Sequence, residues 1–276
     1  MVSDAPMIAF LSDYGLGNEF VGVCHAVIAR RCAPARVIDL THAIPRHDVR
    51  TGAIVLRATL PYLPQAIILA IVDPGVGTTG ERGRRAVAVR TAGEDRLLVG
   101  PDNGLLAPVC ERLGGVAEAV DVGQSAERLQ PVSATFHGRD IFAPVAAALA
   151  AGRPLSELGE AIDPASLRGM HLHVAVRTAE GLELHVLHRD TFGNVILDGD
   201  VSQLAELGIS VGDELSVRHP AGNHTATFAN TFADVPPGGL LLYQDGLGML
   251  ALAVNRGSAA DMLGAERDDE LHIGVG

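Results

Sequence analysis

A chain of 276 residues is long for one compact unit and short for three, so it predicts two domains. With 47% hydrophobic and 20% charged residues it has the balance of a packed globular protein, which excludes a disordered or fibrous one. The formal net charge of −12 comes with no run of Lys or Arg, which excludes nucleic acid and anionic membranes as partners.

Met1 to Pro6 shows neither the basic nor the apolar region of an export signal. Met7 to Ser12 reads as a buried strand, and after the loop from Asp13 to Asn18 the apolar residues Phe20, Val23, Cys24, Val27 and Ile28 recur at helical spacing. Arg36 to Leu40 repeats the strand. Asp48 stands at an N-cap position ahead of a helix carrying Val49, Ala53, Leu56 and Leu60. Ile67 to Val72 is continuously apolar, the mark of a strand covered on both faces in a parallel-type sheet. The apolar run from Ala66 to Val72 falls far short of the roughly 20 residues that a membrane span needs. Arg85 to Arg90 and Arg96 to Val99 predict a hairpin turned at 92–95. Gly104 to Leu113 and Ile141 to Ala151 predict helices, the second with Pro144 in its first turn.

The texture changes after Gly152-Arg153-Pro154. From His171 the pattern alternates in period two over 171–177, 182–188, 213–218, 224–229, 239–243 and 249–254, with short helical pieces at 202–208 and 258–263. The fold class is therefore α/β: a three-layer, parallel-type α/β domain over 1–168, then a smaller β-barrel-like domain over 169–276. Cysteines stand at 24, 32 and 110 without Cys-x-x-Cys spacing, so neither a disulfide framework nor a structural zinc site is expected, and the default compartment is a reducing cytoplasm.

Ligands of open α/β sheets sit at the carboxyl ends of the strands, which makes Asp13 and Asp73 the first candidates. Each opens a loop in which glycine lets backbone approach a ligand. There is no Gly-x-Gly-x-x-Gly fingerprint and no Walker A sequence, so a dinucleotide or P-loop reading lacks its signal. Thr135 to Asp140 gathers His137, Arg139 and Asp140 ahead of the Ala-rich helix; by itself this suits a hydrogen-bonded structural histidine and a helix start better than a catalytic role. His171, His173, His185, His188 and His224 read as surface histidines, and no metal is expected. Asp190-Thr191-Phe192-Gly193-Asn194 offers an aromatic face beside an amide, suited to a purine base, although a β-turn with a buried Phe fits the same residues.

In order along the chain, Leu11-Ser12-Asp13-Tyr14-Gly15, Asp39-Leu40-Thr41-His42-Ala43-Ile44-Pro45, Val72-Asp73-Pro74-Gly75-Val76-Gly77-Thr78, Gly100-Pro101-Asp102-Asn103-Gly104, His137 to Pro144, Phe192-Gly193-Asn194 and Asn255-Arg256-Gly257-Ser258-Ala259 resemble the S-adenosylmethionine (SAM) hydroxide adenosyltransferases, relatives of the adenosyl fluorinases and chlorinases. The resemblance runs nearly end to end. It implies hydrolysis of SAM at C5′ to adenosine and methionine, with SAM as substrate and no cofactor. It implies a water-activating trio of Asp73, His137 and an arginine of the 82–85 segment; Arg84 aligns, with Arg82 and Arg85 as alternatives. The arginine would orient the carboxylate and keep it ionised. Asp13, Asn18, Asp190, Phe192, Asn194 and Tyr243 would bind substrate, Asp13 at the ribose, Phe192 and Asn194 at the adenine, and Asp190 at the methionine ammonium. The resemblance also implies a homotrimer with sites between subunits. Two alternatives stand beside this reading: a SAM-dependent halogenase, and a non-catalytic adenosyl-ligand-binding protein. A carboxylate at 73 would repel halide, and Gly138 replaces a hydroxyl that contacts halide in the halogenases.

Overall fold

The computed structural model describes residues 5–78, 80 and 83–275. The alternative trio residue Arg82 therefore lies outside the described residues. The chain divides into two compact units, Met1–Met170 and His171–Gly276.

The first unit contains β1 (Met7–Ser12), α1 (Phe20–Arg31), β2 (Arg36–Thr41), α2 (Val49–Thr59), β3 (Ile67–Ile71), β4 (Ala86–Thr91), β5 (Leu97–Pro101), α3 (Ala107–Arg112), β6 (Val116–Asp121), α4 (Ala143–Ala150) and the two-residue β7 (Glu160–Ala161). Its sheet runs β2-β1-β3-β5-β4-β6-β7. The strands are parallel from β2 through β1 and β3 to β5, and antiparallel from β5 through β4 and β6 to β7. The switch follows from the hairpin: a turn as short as 92–95 joins only antiparallel strands, since a parallel pair needs a crossover.

Alternation along the buried strands builds two cores. Ile8, Phe10, Leu69 and Ile71 pack on the α1 and α4 side with Ile28, Phe142 and Val145. Leu11, Ile68, Ala70 and Val72 pack on the other side with Leu56, Leu105 and Val109 from α2, α3 and the turn before α3. Three layers result, as expected. Asp48 caps α2, accepting from the backbone N–H and hydroxyl of Thr51 at 3.0 and 2.7 Å. The helix expected from Ile141 is preceded by a π-turn over Gly138–Phe142, with the Ala143 N–H donating to the Gly138 carbonyl. Pro144 has no N–H to offer, and the wider turn carries the helix past it without the bond an α-turn would need.

The second unit contains β8 (Val176–Arg177), β9 (Leu182–Arg189), β10 (Val195–Leu197), α5 (Val201–Glu206), β11 (Glu214–His219), β12 (Gly222–Phe228), β13 (Leu240–Gln244), β14 (Leu250–Val254), α6 (Ala259–Leu263) and β15 (Glu270–Val275). The strand order β10-β14-β13-β12-β11-β15-β9 closes when β9 pairs back onto β10, giving a seven-stranded barrel with β8 on its edge. Leu182, Leu184, Val186, Leu215, Val217, Leu250 and Leu252 fill its interior. The strand expected over 171–177 is paired only at Val176–Arg177. Val174 and Val176 are exposed while Ala175 between them packs on the barrel core, so the alternation turns its larger apolar residues outward, and His171 and His173 lie before the strand. Instead the His173 ring stacks on His185 with centroids 4.1 Å apart.

Candidate active site

β1 and β3 are adjacent and parallel, so the loops that follow them emerge at one edge of the sheet. Asp13 and Asp73 stand in those loops. Both line a cavity of about 530 Å³ together with Asn18, Tyr14, His137 and Gly138. Gly77 closes the Asp73 loop at φ +74°, where a Cβ would stand 2.2 Å from the Ala134 carbonyl oxygen, so no side chain fits in this crossing of two loops.

Asp73 and Arg84 form an ion pair whose side chains are each only 6% exposed. Arg84 Nε donates to Asp73 Oδ1 and Oδ2 at 3.0 and 3.1 Å, and Nη2 also donates to Oδ2. The same Nη2 lies 2.9 Å from His137 Nδ1. A guanidinium has only donors, so Nδ1 is the acceptor and the neutral ring carries its proton on Nε2. Burial, seconded by the Arg84 charge, holds the His137 pKa below its ordinary value, in keeping with that form. Phe142 supports the guanidinium from beneath, its ring centroid 5.1 Å from Arg84 Cζ. Arg85 turns elsewhere, to Asp102 at 2.6 and 2.8 Å and to Ser166. Of the described arginines at 84 and 85, Arg84 is the one that meets Asp73 and His137.

Asp13 Oδ2 accepts the backbone N–H of His47 at 2.9 Å. His47 takes a left-handed backbone, φ 66°, to deliver it. Sequence reasoning missed both His47 and the supporting Phe142, and neither carries a local signal: one acts through its backbone, the other is one apolar residue of a buried helix. His42 also lines the cavity, with Ser12 Oγ 2.7 Å from its Nδ1, and His25 Nε2 lies 2.8 Å from Asp39 Oδ1. Among the described residues, His25, Asp39 and His42 bring ligand-type atoms within 4.8 Å of one another. Partial burial alone would raise the Asp39 pKa, but the two imidazoles outweigh it and hold the carboxyl below its ordinary value.

In the second unit Asp190 organises its own loop. Its Oδ1 accepts from the backbone N–H of Phe192 and Asn194 at 2.8 and 2.9 Å, and its Oδ2 from the Asn194 amide at 2.8 Å. Asn194 is buried, whereas Phe192 is 79% exposed, so the turn does not enclose its aromatic ring. Tyr243 on β13 packs against Phe232 with centroids 5.2 Å apart. Burial and then the nearby Asp190 push its hydroxyl pKa up to about 12.

A cavity at the carboxyl edge of an α/β sheet, lined by a carboxylate and a neutral imidazole that a buried guanidinium joins, defines a small-molecule site with acid-base groups in place. Residues 8–159 match the SAM hydroxide adenosyltransferase N-terminal domain and residues 184–272 its C-terminal domain. The chain is 47% identical over 275 residues to a (R)-S-adenosyl-L-methionine hydrolase of Salinispora arenicola, covering all of both chains. A fluorinase of Nocardia brasiliensis is 28% identical, with 98% of this chain and 97% of the relative covered. A solved structure of an uncharacterized conserved protein from Thermotoga maritima superposes with a TM-score of 0.89 at 38% identity, covering 97% of this chain and all of the other. The chain belongs to the SAM hydroxide adenosyltransferase family.

Proposed function

We propose that this protein hydrolyses S-adenosyl-L-methionine at C5′ of the ribose, giving adenosine and L-methionine. The observation that carries the reading is the hydrogen-bonded trio Asp73, Arg84 and His137 at the cavity where Asp13 and Asn18 also stand. The hydrolase relatives support the substrate, and their name points to the (R) sulfonium epimer. The sulfonium leaves as a neutral thioether, so the step needs no general acid and no cofactor; it needs a water held in line with C5′–S and a group to take its proton. With His137 Nδ1 occupied by Arg84, the carboxylate of Asp73 is the proton acceptor. His137 Nε2–H then donates to the water oxygen, and Arg84 holds both partners in register. A carboxylate beside the nucleophile opposes a halide and favours water. Asp13 and Asn18 take the ribose. The exposed Phe192 ring and Asn194 suit the adenine, and Asp190 and Tyr243 the rest of the substrate.

Purified protein incubated with SAM in water enriched in heavy oxygen is expected to yield methionine and adenosine labelled at the 5′-hydroxyl. S-adenosylhomocysteine, or SAM bound but unchanged, would overturn the reading. We further propose a cytoplasmic homotrimer whose sites draw on two chains; the three buried free cysteines suit a reducing compartment. Inactive Asp73→Asn and Asn194→Ala proteins, dissociated and reassembled together, are expected to regain partial activity. Mixed oligomers that stay inactive would restrict each site to one chain. Among the described residues no helix is long and apolar enough to cross a membrane.

A further inference from the structure

Tyr14 sits immediately after Asp13, its ring edge-on to Phe10 and Phe136, with centroids at 6.5 and 5.8 Å, and tilted against Phe20 at 5.8 Å. Phe20 and Phe136 in turn pack edge to face at 5.0 Å. Rings locked in this way leave the Tyr14 side chain one direction in which to extend. That direction runs past Gly138: a Cβ built there would stand 2.0 Å from Tyr14 Oη and 3.0 Å from Cζ. Gly138 does not have a positive φ, so its backbone accepts any residue, and what excludes a side chain at 138 is the phenol.

The aromatic packing asks for a ring and has no use for a hydroxyl. Phenylalanine would fill the same slot. Yet Oη has no hydrogen-bond partner among the described residues, although Tyr14 lines the cavity that Asp73 and His137 line. Because Tyr14 is only partly buried and lines the cavity, the natural partner of this hydroxyl is a molecule inside the cavity, next to His137. Burial above all, with the carboxylates of Asp13 and Asp73 nearby, raises the phenol's pKa well above its ordinary value, so it remains O–H at any working pH.

We propose that Tyr14 is a positioning residue for the attacking water and that Gly138 is glycine to admit its hydroxyl. The proposal rests on the hydrolase reading. Water has two O–H donors and two lone pairs. Asp73 accepts one O–H and Tyr14 Oη the other, while His137 Nε2–H holds one lone pair. The remaining lone pair points at C5′. It forms the O–C5′ bond as the C5′–S pair returns to sulfur, releasing methionine, and the proton passes to Asp73.

The test compares steady-state turnover of SAM by wild type, Tyr14→Phe, Gly138→Ala and the double variant. Tyr14→Phe is expected to lower kcat about tenfold, the scale of one lost hydrogen bond, with KM unchanged within about twofold. Gly138→Ala displaces Oη and is expected to cost about as much. In the Tyr14→Phe background the same change should cost clearly less than it does alone, because the two remove one interaction and only ring carbons, the nearer at 3.0 Å, still crowd the added methyl. An active wild type with a Tyr14→Phe kcat near normal overturns the proposal alone, as does a loss confined to KM or independent, multiplying effects of the two changes. A wild type that forms no adenosine refutes the hydrolase reading and this proposal with it. Should Gly138→Ala not fold, the kcat and KM of Tyr14→Phe decide.

Discussion

The trio of the first unit and the 190–194 loop of the second are built on opposite plans. Asp73, Arg84 and His137 come from distant points of the chain and meet only because β3, the approach to β4 and the π-turn before α4 converge, with the charges buried against Phe142. The 190–194 loop is made within five residues: Asp190 gathers the N–H groups of Phe192 and Asn194 and holds the Phe192 ring out to solvent. Groups that move protons need fixed geometry, which tertiary packing supplies. The stacking surface proposed for Phe192 needs reach, which a local turn supplies at no cost to the core.

The sharpest way to break this contrast is Asp73→Asn. It is expected to lower kcat by about 10³-fold, within the range for a lost general base, while calorimetry still detects SAM binding. The amide also leaves Arg84 with a buried, uncompensated charge, which costs about 3 kcal/mol of stability, so kcat is to be read at a temperature where the variant's circular dichroism is native. A variant with wild-type kcat would remove Asp73 from the chemistry. Phe192→Ala belongs to the other plan: KM is expected to rise about tenfold with kcat nearly unchanged, because stacking on a base is worth about 1–3 kcal/mol and the loop bonds do not involve the ring. A drop in kcat instead would mean that the loop shapes the reacting end. The smallest effect is electrostatic. Burial and Arg84 depress the His137 pKa, so its contribution to stability is complete above the ordinary 6.5 and is lost as the pH falls through the folded value. Ring NMR titration is expected to place the His137 midpoint below 6.5, and Arg84→Met to shift it, since both the guanidinium charge and the Asp73 partner are then rearranged. A midpoint above 6.5 would contradict the neutral, Nε2-protonated ring.

Much of this was legible in the residues, unevenly. The strand ends were clear because continuous apolar runs such as Ile67 to Val72 stop at Asp73, and the layered domain and barrel followed from the change in period after residue 154. The joining of Asp73 to His137 came from the resemblance, since pairing across 63 intervening positions leaves no periodic trace. The arginine was open among three neighbours because sequence does not show which way an extended segment turns. Arg84 and Arg85, successive residues leading into β4, point to opposite sides, one to Asp73 and the other to Asp102. The π-turn at Gly138–Phe142 was hidden beneath an ordinary helical pattern. β10, at three residues, is too short for any alternation to register.

That short strand gives the second unit an unexpected property. Val195 and Ile196 carry the ladder to Leu252 and Ala251 on one side and to Arg189 and His188 on the other, so the ring of strands is fastened at one point. The fastening begins at the residue after Asn194, and Gly193 anchors it from the other flank through its carbonyl to the Ala260 N–H at 3.0 Å. The segment that displays Phe192 is thus also the clasp of the barrel. If the proposed adenine stacks on Phe192, its binding is expected to slow amide hydrogen exchange at Val195 and Ile196, the residues of the ladder that the loop leads into.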